Sequence, residues 1–99
     1  MIRHIVMWKL KDKTEDGTKA ENAAAIKEGL EKLVGKIDGL LKAEVMVGVP
    51  GGMDLCLYSE LTTMEALEAY KVHPLHKEVQ ALVHRSMLER VACDGEIDG

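Results

Sequence analysis

Residues 2–10 alternate in the manner of an extended chain. Ile2, His4, Val6, Trp8 and Leu10 share one face and Ile5 and Met7 the other, which predicts a strand. Apolar side chains on both faces place that strand in the middle of a sheet. After a polar segment containing Gly17 the period changes. Ala23, Ile26, Leu30, Leu33 and Ile37 recur at helical spacing opposite Lys and Glu, predicting a helix over 19–34 with Gly35 and Gly39 as stop signals. Alternation returns over 41–49, with Leu41, Ala43, Val45, Val47 and Val49 on one side, and again over 53–61 with Met53, Leu55, Leu57 and Leu61. Pro50-Gly51-Gly52 between them predicts the turn of an antiparallel hairpin. Thr62-x-x-Glu65 reads as a capping box opening a helix through Tyr70. Pro74 starts a further helix that turns Leu75, Val79, Leu82 and Val83 inward. Residues 87–94, with Val91 and Cys93 on one face, predict a final edge strand, and the Gly- and Asp-rich tail beyond it is expected to fray.

The predicted order is β-α-β-β-α-β, with the second helical region divided at a proline. That order describes one ferredoxin-like α+β domain over residues 1–99, a four-stranded antiparallel sheet with its helices on one face. Helices on one side cannot cover Ile5 and Met7, and exposed apolar area of that kind marks an interface. A homodimer joined sheet to sheet is therefore expected. The size argues the same way, because 99 residues bury only about 60–70% of their unfolded surface.

Composition narrows the function classes. Apolar residues make up 46% of the chain and charged residues 30%, which is globular rather than disordered. The formal net charge is −4 and no Lys/Arg stripe is present, so neither nucleic acid nor an anionic membrane surface is an expected partner. No apolar run reaches the roughly 20 residues of a membrane span, and Lys9 and Lys11 interrupt the only N-terminal apolar stretch. A soluble, cytoplasmic protein is expected. Cys56 and Cys93 then read as reduced core residues.

Candidate chemistry concentrates in Y-K-V-H-P-L-H, residues 70–76, together with His4. Histidine is the side chain that titrates near neutral pH. On the helix after Pro74, His76 shares a face with Val79 and Val83, under the sheet. Burial there would lower its pKa and keep the ring a neutral base. If His4 faces the helices with Val6 and Trp8, then His4, Tyr70 and His76 line one cavity. Two readings follow. In one, the pocket is catalytic: His76 removes a proton beside a carbonyl, Tyr70 hydrogen-bonds the enolate and His4 orients the substrate. In the other, His76 satisfies a backbone group at the helix junction and His4 is a core residue. Trp8, His73 and Val79 are candidate ligand-binding residues, although His73 before Pro74 also suits an N-cap. His84, among Val83, Arg85 and Ser86, is expected to be exposed. Zinc at His4, His73 and His76 is disfavoured by the intervening proline and the lack of a nearby Cys or carboxylate, so no metal is expected. Six scattered methionines suit core filling. There is no phosphate-cradling glycine loop, no Ser or Cys nucleophile signature and no expected cofactor.

Several stretches resemble the stress-responsive A/B barrel domain (Dabb) family. They are M-I-R-H-I-V-M-W-K-L, I-D-G-L-L-K-A-E-V-M-V-G and D-L-C-L-Y-S-E-L-T-T-M-E-A-L-E-A-Y, followed by H-P-L-H. The resemblance spans nearly the whole chain and implies a ferredoxin-like subunit that dimerises through its sheet into a dimeric α/β barrel. A plant polyketide cyclase within the family is similar at the working positions. By that likeness His76 and Tyr70 would be catalytic, His4 a pocket residue and His73 the other histidine of the motif. The absence of Phe and the single Trp depart from its aromatic pocket. The resemblance also implies a cation site on the main-chain carbonyls of Val34, Ile37 and Leu40. Many members have no assigned function, so it leaves two roles open: binding a small molecule without catalysis, or acid–base catalysis. Cofactor-free oxygenases on the same architecture make a third, by fold analogy alone.

Overall fold

The computed structural model describes residues 1–97. The strands are β1 (Ile2–Leu10), β2 (Lys13–Thr14), β3 (Gly17–Thr18), β4 (Leu40–Val47), β5 (Leu55–Leu61) and β6 (Met87–Glu96). The helices are α1 (Lys19–Glu31), α2 (Met64–Val72) and α3 (Pro74–Ser86). The main sheet is antiparallel in the order β4-β5-β1-β6, with β1 and β5 central, as a ferredoxin-like fold requires. β2 and β3 form a small ribbon in the segment read as merely polar. No helix among the described residues is long and apolar enough to cross a membrane.

The core lies between the sheet and the helices. Leu10, Ile26, Leu30, Leu57, Leu61 and Leu67 are almost completely removed from solvent. Burying a side chain of this kind is worth roughly 1.5–3 kcal/mol. α1 starts where Thr18 and Glu21 cap each other reciprocally, and it unwinds after Glu31 into turns that still bury Leu33 and Ile37. α2 is capped by Thr63, whose hydroxyl accepts the Ala66 N–H (3.1 Å), so the cap falls one residue after the expected Thr62 and, with Ala66 at N3, is not a reciprocal box. The Thr62 N–H instead donates to the Gly39 carbonyl (2.9 Å).

In β4 the predicted face is also shifted. A register irregularity between Leu40 and Lys42 turns Leu40 inward and leaves Leu41 half exposed, while Ala43 and Val45 point to the core as expected. Val47 and Val49 run past the helices and are exposed. The cysteines are not core residues. Cys56 is half-buried and Cys93 exposed on the outer sheet face, and both are free thiols. β6 continues to Glu96 rather than fraying after Asp94, and residues 98–99 of the expected tail lie outside the described residues.

The outer face carries a row of Met46, Cys56, Met7 and Val91, one residue from each strand in direct register. Met46 is 65% exposed and Val91 53%. β6 is exposed on both faces, because the helices lie over β4, β5 and β1 and leave it largely uncovered.

Candidate functional site

Alternation along β1 turns His4, Val6 and Trp8 toward the helices, where all three are buried. α3 passes above them and presents His76, Gln80 and Val83 at helical spacing. A cavity of about 230 Å³ lies between these elements. Val6, Trp8, Leu30, Leu57 and Val83 form its apolar walls. Its polar groups are His4, Lys71, His76, Gln80, His84 and Arg90.

Both imidazoles are oriented through Nδ1. His4 Nδ1 meets Asp94 Oδ1 directly across the β1–β6 pair. Burial alone would raise the Asp94 carboxyl. The hydrogen bond and charge of His4, helped by Lys71, outweigh it and hold Asp94 below its ordinary value of 3.8. An ionised carboxylate only accepts, so the proton of that pair sits on His4 Nδ1, and in the neutral ring Nε2 is the bare acceptor. His76 Nδ1 lies 3.3 Å from the Lys71 carbonyl, which likewise only accepts. Burial holds the His76 pKa below 6.5 despite that contact, with smaller repulsions from His4, His73 and His84. His76 is therefore a neutral imidazole at pH 7, with Nε2 as its basic atom.

Tyr70 is fully buried on α2, its ring 4.3 Å from that of His76 and 6.2 Å from that of His4. The three rings thus meet, but Tyr70 is not part of the cavity wall. That differs from the expected shared lining, because α2 carries the phenol into the core beneath the α2–α3 junction. Its hydroxyl finds no partner among the described residues, and burial pushes its pKa up to about 12. The Trp8 indole N–H is also buried without a partner.

The other expected ligand residues lie elsewhere. His73 caps α3, its Nδ1 accepting the Leu75 N–H (3.1 Å), since the residue before Pro74 stays extended. Val79 packs against α1, where a Cβ on Gly29 would come within 3.1 Å of it. His84 is exposed as expected, yet it reaches the cavity rim. Asp94, Lys71, Gln80 and Arg90 were not singled out in the sequence. The signal for Asp94 was the alternation of β6, which needs the β1–β6 register to become informative. Among the described residues no group of three or more His, Cys, Asp or Glu side chains is placed to hold a metal ion. Of the carbonyls named for a cation, that of Ile37 accepts the Leu40 N–H (3.2 Å).

This fold and this pattern of residues coincide with a known family. The profile of the stress-responsive A/B barrel domain (Dabb) matches residues 2–97. The chain belongs to the Dabb family. A dimeric protein of unknown function with a ferredoxin-like fold from Bacteroides fragilis is 30% identical, with a TM-score of 0.87 over 97% of this chain and 95% of that one. A Dabb family protein from Mesorhizobium loti is 18% identical, with a TM-score of 0.73 over 99% and 97%. A structure described as an antibiotic biosynthesis monooxygenase is 13% identical, with a TM-score of 0.77 over the whole of both chains, a likeness of fold alone. Comparison with curated proteins returns no match.

Proposed function

We propose that this Dabb protein is a homodimer that binds a small molecule in the cavity between β1 and α3. The observation that carries the reading is the convergence there of two imidazoles, each held by Nδ1, on apolar walls formed by Val6, Trp8, Leu57 and Val83. The volume of about 230 Å³ is below the roughly 300–1,000 Å³ typical of drug-sized ligands, so the ligand would be small. Dimerisation is supported by the exposed Met46–Cys56–Met7–Val91 row and by the dimeric Bacteroides fragilis neighbour. Pairing through that face would leave the cavity, on the opposite face, open.

The test is native mass spectrometry of purified protein beside Gln80→Trp, which fills the cavity from α3 without altering the core. Wild-type protein should retain or take up a small molecule that the variant does not. Equal retention by both would contradict the reading.

A second reading is favoured by the neutral His76: cofactor-independent acid–base catalysis of the kind performed by olivetolic acid cyclase, or a lyase reaction. His76 Nε2 would take an acidic proton, for which one positioned base contributes about 10²–10⁴-fold. His4, fixed by Asp94, would orient the substrate. Tyr70, ring against ring with His76, would hold the base, and direct donation from its hydroxyl would need the phenol to move to the cavity. Turnover that survives His76→Ala would eliminate this reading.

A further inference from the structure

We infer that the cavity selects an anionic ligand, a small monocarboxylate whose charged end sits at the rim beside Lys71 and Arg90 and whose apolar body lies against Val6, Trp8, Leu57 and Val83. This rests on the proposal that the cavity binds a small molecule, and it adds the charge and orientation of that molecule.

The charge balance of the site is opposite to that of the protein. The whole chain carries a formal −4, yet the cavity is lined by two permanent cations and three imidazoles and by no carboxylate. Asp94, the acidic group adjoining the site, is engaged by His4. Lys71 is held only loosely: its Nζ is 3.7 Å from Asp94 and 3.8 Å from Glu68, both beyond direct hydrogen-bond distance. Arg90 makes no ion pair among the described residues. Arg85, five residues earlier, shows what a satisfied guanidinium looks like here, with two contacts to Asp16 at 2.8 and 3.2 Å.

The register sets the orientation. Arg90 stands directly opposite Trp8 in the β1–β6 pair, on the strand that the helices leave largely uncovered. Its fork therefore lies at the open side, and the indole lies on the inner side of the same cross-strand pair. Lys71, at the end of α2, supplies the second cation. Of the lining imidazoles, His76 is neutral with Nε2 bare, so it offers the anion no positive charge. A carboxylate suits a planar guanidinium, which it can engage through both oxygens. Val6, Leu30, Leu57 and Val83 give the cavity apolar walls and Lys71 and Arg90 its charged groups, so a ligand with one ionised end and an apolar remainder fits.

Calorimetric titration with matched pairs of probes tests this. Butanoate to decanoate, benzoate and phenylacetate would each be compared with the corresponding neutral amide. At least one carboxylate is expected to bind about tenfold or more tightly than its amide, with the difference shrinking as salt is raised. Arg90→Gln and Lys71→Gln should each reduce the carboxylate-to-amide ratio while leaving amide affinity unchanged, and Arg90→Glu should abolish it. Equal binding of acid and amide, or a ratio untouched by these variants, overturns the anion assignment and leaves the binding proposal standing. No binding by any acid or amide, with the protein folded, overturns both.

Discussion

At the residue scale the most exacting groups are the buried Tyr70 hydroxyl, without a partner among the described residues, and the depressed imidazole of His76. Tyr70→Phe removes a hydroxyl that is buried and bonded to nothing among the described residues. It should therefore leave the denaturation midpoint unchanged or raise it, since no hydrogen bond is lost and a desolvated donor is deleted. A drop of more than about 1 kcal/mol would mean that the hydroxyl has a partner after all. His76 makes a prediction with a definite sign. Its folded pKa lies below the ordinary 6.5, so above that value neither state gains a proton and the group is neutral in effect. Below about 6.5 the unfolded chain protonates first, and stability falls until the folded pKa is reached. Urea midpoints measured from about pH 7.5 to 5 should fall less steeply in His76→Gln than in the wild type. Equal slopes would show that burial does not perturb this ring. His76 and His4 were legible as inward-facing residues from alternation and helical spacing. Asp94 was not, because its importance depends on a contact between residues ninety apart in the chain.

At the scale of elements, periodicity located every major strand and helix, and local backbone events moved their details. Leu41 was assigned inward by strict alternation, whereas the irregularity at Leu40/Lys42 gives that place to Leu40. A period of two has no means of showing an inserted residue. The cysteines were read as reduced core residues from their apolar strand segments and an expected reducing compartment, although their alternation puts them on the outer face with Met7 and Ile5. Gly39, read only as a stop signal, has a more demanding role. Its φ is +85°, and a Cβ there would lie 2.6 Å from the Ala66 Cβ at the start of α2. Gly39→Ala should cost roughly 2–4 kcal/mol from backbone strain and overlap together. Gly51→Ala, with φ +107° and nothing within 4 Å, should lose only the strain part. Urea denaturation of the pair separates the two contributions, and equal losses would refute the close approach of Gly39 to α2.

At the scale of the whole molecule, one sheet separates two surfaces of different chemistry. The outer face carries the apolar row and the inner face the cavity, so association and ligand binding should be independently mutable. Met7→Glu places a charge at the centre of the row and should shift sedimentation from dimer to monomer while leaving ligand affinity within about twofold. A variant that stays dimeric would move the interface elsewhere. The βαββαβ order made the sheet and its uncovered face readable in advance. A cavity between sheet and helices was expected from His4, Tyr70 and His76, but its full lining was not readable, because it depends on how α3 packs against β1 beside the poorly covered β6, which no local pattern encodes. Its rim groups Lys71, Gln80 and Arg90 come from three different elements.

The central claim, that this cavity is the ligand site, can be read from a single resonance. Trp8 is the only tryptophan, and its side chain lines the cavity. In two-dimensional nitrogen–proton NMR, a ligand identified by calorimetry should shift that indole signal and the amides around His76 and Val83. The amides of Met7, Cys56 and Val91 on the outer face should stay in place. Shifts confined to the outer face, or an indole signal unmoved at saturation, would contradict the account.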